Sequence, residues 1–205
     1  MKRIDVSSIG FGEACDEGFE QLFPFLDDDE SNVMAPIQFA SLELVRSALQ
    51  IAEICSKDKI CDIGCGDGRF AIVSFCEYGV QQSIGIEIDS DLATLAKEKV
   101  KRAKELLSGD KERNSDKLII VEGNFFELDE KQQALVEEST LFIVYLLKDK
   151  MHLLESFLRK QLEKGARFIS ILFPFLDWKP IKKSDDEKVL VYSKDSIPKS
   201  NCKST

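Results

Sequence analysis

Between residues 59 and 173 two hydrophobic periodicities alternate along the chain, and that alternation leaves few architectures open. Short apolar runs read as buried strands: KICDIGC (59–65), QSIGIEI (82–88), KLIIVEGN (117–124), TLFIVYLL (140–147) and ARFISILFPF (166–175). Between them lie segments of helical spacing. RFAIVSFCEYG (69–79) is stopped by Gly79, and Asp89 or Ser90 caps a helix whose stripe is Leu92, Leu95, Val100, Ala103 and Leu107. EKQQALVEE is a weak short helix. DKMHLLESFLRKQLEKG (149–165) is amphipathic on Met151, Leu154, Leu158 and Leu162, and ends at Gly165. An earlier helix starts at Ser41 with Leu42, Val45, Leu49 and Ala52 on one face, and KVLVYSK (188–194) is a sixth strand. Parallel strands need crossovers, and each crossover is right-handed. The expected fold is therefore α/β, a doubly wound, mostly parallel sheet with helices on both faces.

The totals narrow the class of partner. The chain has 205 residues, 43% hydrophobic and 32% charged, which suffices for one domain with a substantial core. Its net charge of −9 is a poor match for nucleic acid, whose phosphates demand a positive footprint. No apolar run approaches the ~20 residues that cross a bilayer. The N-terminus lacks a secretory h-region, and its acids Glu13, Asp16, Glu17 and Glu20 argue against a transit peptide. Most of the six cysteines lie inside apolar segments, as small hydrophobes do in a reducing compartment, so a cytoplasmic location is expected. Residues 1–35 read as an irregular arm with one short helix around 15–23 and a solvated acid run at Asp27–Glu30; residues 196–205 read as a loose tail. The basic side chains Lys97, Lys99, Lys101, Arg102 and Lys104 are expected on the solvated face of their helix.

Ligands of such sheets bind beyond the carboxyl ends of the strands. After the first strand stands Asp62-Ile-Gly64-Cys65-Gly66-Asp67-Gly68. Glycines let the backbone turn sharply and approach a ligand closely. A P-loop would need Lys-Ser or Lys-Thr after its last glycine, and Arg69-Phe70 follows here. A dinucleotide fingerprint needs two spacers before its last glycine, and carboxylates beside a pyrophosphate would repel it. Zinc would need more ligands than Cys61 and Cys65, and the single histidine, His152, lies far along the chain. The acids suit a ligand that brings positive charge, hydroxyls and an amine. After the second strand, Glu87 is placed to accept both hydroxyls of a ribose, with Ile88 beside it. After the third, Asn124 offers an acceptor to an adenine amino group and Phe125 an apolar wall.

Positive sulfur, ribose and adenine together describe S-adenosylmethionine, and the loop and Glu87 resemble the glycine motif and second-strand acid of the class I methyltransferases that use it. The resemblance narrows downstream. CDIGCGDGR, GIEID, VYLL and FPFLDWKP resemble a small family whose eukaryotic members methylate lysine in the ATP synthase c-subunit and the adenine nucleotide translocase. It runs from about residue 36 to 180 and implies a Rossmann-like sheet of order 3-2-1-4-5 plus a C-terminal strand, with a methyltransferase domain over 36–195. It also implies Asp62, Gly64, Cys65, Gly66, Asp67, Gly68, Glu87, Ile88, Asn124 and Phe125 as the cofactor set. Two departures stand out. APIQFASLELV replaces the family's Pro-Ser or Pro-Thr pair, and Asn124 replaces its acid after strand three. The eukaryotic enzymes carry an apolar anchoring segment ahead of the domain that is not seen in this sequence; a mitochondrial association stays open.

Such a family implies a protein substrate presenting a lysine. A free lysine amine, pKa ~10.4, is neutral in only about one molecule in two or three thousand at pH 7, so the site must desolvate it or set it near a base. Tyr145, at the end of the fourth strand, is the candidate catalytic residue: its ring would wall a lysine channel and its hydroxyl would bond the amine, the alternative being a packed core tyrosine. Phe173, Phe175 and Trp178 form either an aromatic substrate rim or a core-closing corner, with Asp177 placed to steer a cation. The Asn-Pro-Pro-Tyr signature of enzymes that methylate planar nitrogens is absent. A small-molecule or RNA methyltransferase and a non-catalytic cofactor-binding subunit are the other readings.

Overall fold

A computed structural model of the chain describes residues 3–11, 39–110, 112–146 and 150–198. The expected helix at 15–23, the acid run and Pro36 lie outside the described residues. The strands are β1 (Lys59–Ile63), β2 (Gln82–Glu87), β3 (Leu118–Glu122), β4 (Leu141–Val144), β5 (Arg167–Ile171), β6 (Lys182–Lys183) and β7 (Val189–Tyr192). They form one sheet of order β3-β2-β1-β4-β5-β7-β6. The first five run parallel, and β7 is antiparallel to both β5 and β6. The two-residue β6 was not foreseen, because two consecutive lysines carry no apolar alternation. The strand order reverses between β1 and β4, where a doubly wound sheet opens a crevice beyond the carboxyl ends.

Side-chain alternation splits the core into two faces. Ile60, Leu141, Ile143, Ile169, Ile171, Val189 and Val191 face one cluster; Cys61, Ile63, Phe142, Val144, Phe168, Leu190 and Tyr192 face the other. Over the first face lie α1 (Leu42–Ile51), α2 (Arg69–Val73) and α3 (Ser90–Leu107); α4 (Glu130–Glu137) and α5 (Glu155–Glu163) serve the second. Ser41 caps α1 by accepting from the Leu44 amide at 3.0 Å. Met151, Leu154, Leu158 and Leu162 are buried as their spacing predicts, although the first turn, Met151–Leu154, is 3-10.

Three differences from the sequence reading bear on the site. The segment after β1 is α-helical only over Arg69–Val73 and continues as a π turn over Ser74–Tyr78 before left-handed Gly79. In that stretch the Cys76 carbonyl accepts from the Ile4 amide, and the Phe75 and Cys76 carbonyls accept from Arg113 Nη1. Helix α3 is rotated from the expected leucine stripe: Ala93, Ala96, Lys99, Val100, Ala103 and Leu107 are inside, while Leu92 and Leu95 are half-buried. Alanines allow close approach; a Cβ on Gly68 would stand 3.3 Å from Ala96 Cβ. Lys99 is therefore a correction, a buried cation rather than a solvated one. Finally, part of the N-terminal arm is built into the domain. Residues 3–11 hold a 3-10 turn at Ser7–Ile9, with Val6 and Ile9 buried in the first cluster. At the other end, Ser196 is buried and Ile197 packs on the second cluster, so the chain stays attached past residue 195.

Candidate functional site

The glycine loop leaves β1 with every second residue left-handed: φ is 76° at Gly64, 54° at Gly66 and 78° at Gly68. Side chains at these positions would strain the backbone, which is why the loop alternates glycine with other residues. The loop is bonded to the end of β2. The Gly64 and Cys65 amides donate to the Ile86 carbonyl at 2.9 and 3.0 Å. The Gly66 amide donates to Glu87 Oε2 at 2.7 Å, and the Asp89 amide to Glu87 Oε1 at 3.0 Å. Glu87 thus orders the loop as well as ending the strand. Each carboxylate oxygen accepts about two hydrogen bonds, so one acceptor position remains on each.

Asp62 lies on the sheet face that also carries Gly85 and Glu87, since Asp62 is in register with Gly85. It is 2% exposed, and among the described residues its Oδ2 has no hydrogen-bond partner. Burial, then the charges of Glu87 and Asp67, push its carboxyl well above the usual range. An orphaned acidic oxygen in a buried site is costly unless a cation or donor meets it.

Asp67 is a correction to the expected ligand set. It is fully buried, and both of its oxygens are engaged inside the protein. Oδ1 accepts from Arg69 Nε at 2.8 Å; Oδ2 accepts from Arg69 Nη2 at 2.8 Å and Lys99 Nζ at 2.6 Å. Burial alone would raise its carboxyl, but the bonds and charges of Arg69 and Lys99 outweigh that and hold it below the ordinary value. The sequence could not separate Asp67 from Asp62, because the deciding partner, Lys99, is far along the chain.

Ile88 is 60% exposed just beyond β2. Asn124 Oδ1 accepts from the Phe126 amide at 3.1 Å, which caps a short turn and leaves its second lone pair. Phe125 is half-buried and edge-on to Phe157, 5.0 Å between centroids, whereas neighbouring Phe126 is 57% exposed. Sequence reasoning missed Phe126, since adjacency to Phe125 gave no sign of which ring faces out. It also missed Leu146 and Phe39, whose side chains stand 3.1 and 3.3 Å from where a Cβ on Gly64 and Gly66 would lie. Cys61 and Cys65 are buried and their thiols are pushed well up, chiefly by that burial, which fits packing residues.

Tyr145 follows β4, half-buried against the first cluster. Phe173 is half-buried and Asp177 exposed. Phe175 and Trp178 are not a rim: they are 0% and 3% exposed. Phe168 stacks on Tyr192 at 4.5 Å, Phe175 meets Phe168 edge-on at 4.9 Å, and Trp178 meets Phe175 at 5.0 Å. The Phe175 amide donates to the Tyr192 hydroxyl at 2.9 Å. Burying these large rings against β5 and β7 closes the core corner and outweighs any use at a surface.

The arrangement offers an orphaned carboxylate oxygen, a second carboxylate with two acceptor positions left, close-approach backbone and an exposed apolar shelf. This donor set fits a cationic nucleoside. A family model described as the ANTKMT methyltransferase domain matches residues 62–182. A protein-lysine N-methyltransferase of Saccharolobus islandicus (strain REY15A) is 32% identical over 139 residues, spanning 67% of this chain and 76% of that protein. The crystal structure of an RNA methyltransferase from Salinibacter ruber in complex with S-adenosyl-L-homocysteine is similar with a TM-score of 0.61 and 30% identity, over 81% of this chain and 97% of that one.

Proposed function

The chain belongs to the ANTKMT methyltransferase domain family, and on that premise we propose that this S-adenosylmethionine-dependent methyltransferase acts on the amine of a lysine in a protein. The observation that carries the cofactor half is the partnerless Asp62 oxygen beside a glycine loop tied to Glu87. The acceptor half is supported by the relative named a protein-lysine N-methyltransferase.

When bound, the cofactor supplies an electrophilic methyl on a positively charged sulfur. In our reading Asp62 meets the cofactor's positive charge, and Glu87 accepts the ribose hydroxyls with its two remaining positions. The backbone of Gly64, Cys65, Gly66 and Gly68 allows close approach. Ile88, Asn124 and Phe125 hold the adenine, with Asp67 supporting the loop from within. Tyr145 receives the lysine amine, and its half-buried setting favours the neutral, nucleophilic form by desolvation. Positioning supplies most of the rate in such an in-line displacement. Phe173 and Asp177 remain as the substrate-side pair, and we read 36–195, extended by residues 3–11, as the catalytic domain. Among the described residues no helix is long and apolar enough to cross a membrane. Buried free thiols fit the reducing cytoplasm as the working compartment.

One observation favours a second reading: the Salinibacter ruber relative is named an RNA methyltransferase. The net charge of −9 weighs against it. Incubating the protein and radiolabelled S-adenosylmethionine with a cell lysate tests both. Label in a protein, on lysine by mass spectrometry, and lost in Asp62→Ala and Glu87→Ala, is the expected result. Label in RNA or a low-mass fraction supports the second reading or a small-molecule acceptor. Binding without transfer would leave only a cofactor-binding subunit.

A further inference from the structure

The Asp67–Arg69–Lys99 cluster is buried beneath the glycine loop, and residues from well outside the loop complete it. The ring of Phe11 lies 4.9 Å from Lys99 Nζ and 5.6 Å from Arg69 Cζ. The ring of Phe39 lies 4.8 Å from Arg69 Cζ, and Arg69 Nη1 donates to the Ala40 carbonyl. Two cationic charges share one carboxylate here in a dry setting. Aromatic faces stabilise such a charge, and more so when it is desolvated.

We infer that Lys99, Arg69 and Phe11 are positioning residues for the cofactor loop, so that the N-terminal segment 3–11 sets how tightly S-adenosylmethionine is held. The inference rests on the reading of the glycine loop as the cofactor site. Asp67 stands between left-handed Gly66 and Gly68, so holding its carboxylate fixes the backbone on both sides of it. Glu87 pins Gly66 from the β2 side, and the cation cluster pins Asp67 from the α3 side. Weakening the second support frees a loop that must be ordered before the cofactor contacts form, and that ordering weakens binding. Phe11 reaches this cluster from a segment with anchors of its own. Val6 and Ile9 are buried, Arg102 Nη1 donates to the Ile9 carbonyl at 3.0 Å, and Arg3 pairs with buried Glu77. Phe11 also packs on the first cluster, so a substitution that leaves the segment attached is read by separating its effect on cofactor affinity from its effect on Tm.

Titration calorimetry and steady-state kinetics test this on the full chain. Phe11→Met, which keeps volume but removes the π face, is expected to weaken S-adenosylmethionine binding about three- to tenfold. Its kcat at saturating cofactor should be unchanged, so the loss falls on KM. Phe11→Trp is expected to bind at least as well as the unaltered protein. Lys99→Gln should weaken binding about tenfold or more, with Lys99→Arg recovering most of it. A lowered Tm with cofactor affinity unchanged in Phe11→Met and Lys99→Gln would make the cluster merely structural and overturn the inference. Failure of the unaltered protein to bind would overturn the site assignment as well, whereas normal binding with indifferent variants overturns this inference alone. Should the variants not fold, hydrogen exchange on the unaltered protein decides. S-adenosylmethionine must protect the amides of residues 6–11 together with those of 64–68; protection confined to 64–68 refutes the coupling.

Discussion

Asp62 and Asp67 are the same residue type five positions apart, yet their surroundings drive them in opposite directions. Burial, reinforced by Glu87 and Asp67, raises the Asp62 carboxyl. A raised acid binds its proton more tightly in the folded state. Its stabilising contribution is complete below the unfolded value of ~3.9 and is lost as pH climbs through the raised folded value. The cofactor-free protein should therefore lose Tm across that window relative to Asp62→Asn, which has no proton to lose there. S-adenosylmethionine, which brings positive charge, should bind more tightly as pH rises in the unaltered protein and show a flatter profile in Asp62→Asn; calorimetry over a pH series checks both. Asp67 is held low by its cations. Asp67→Asn removes the negative charge that two side chains, each 4% exposed, share, and should cost about 3–5 kcal/mol in a urea melt. Glu77→Gln should cost less, about 1–3 kcal/mol, because its partners Arg3 and Arg46, 61% and 31% exposed, can turn to water.

The glycine loop and β2 behave as one element. A Cβ on Gly85 would stand 2.7 Å from Cys65 Sγ and 2.9 Å from both Cys65 Cβ and Ile120 Cδ1. Gly85→Ala must push Cys65 and the loop outward, at about 1–3 kcal/mol of overpacking, and should weaken cofactor binding with it. Cys65→Gly in the same chain removes both cysteine contacts and should restore Tm part of the way; differential scanning calorimetry on the single and double variants shows whether it does. The aromatic corner after β5 is tested at the same scale. Phe175→Ala should cost about 3–5 kcal/mol of stability with kcat little changed. Phe173→Ala, which removes a ring only half-buried on the second cluster, should lower Tm less than Phe175→Ala and raise KM for the acceptor. The reverse pattern would return Phe175 to the substrate rim.

At the scale of the whole molecule, an acidic enzyme should draw a cationic acceptor by long-range attraction, so kcat/KM toward a lysine-bearing protein should fall as salt rises. Kinetics across an ionic-strength series check this, and a rate indifferent to salt would argue for an uncharged acceptor. The parallel sheet and the place of the crevice at its carboxyl ends were legible in the chain itself, whereas the strand order through β5 came from the family resemblance. Period and glycine punctuation act locally, and right-handed crossovers leave little choice afterwards. The tie between the loop and residues 3–11 was not legible. It depends on Phe11, Asp67 and Lys99, far apart in sequence and adjacent only once α3 packs on the sheet. Neither was the facing of α3, where a leucine stripe pointed one way and closely packing alanines and a paired lysine settled another. By itself the sequence determined the alternation, the left-handed loop and the identities of its acids, because these follow from backbone sterics and side-chain chemistry within a few residues. Only the tertiary structure decided which acid is left without a partner, which cation is buried and which aromatic rings close the core, because burial and charge pairing are set by neighbours that the fold brings together.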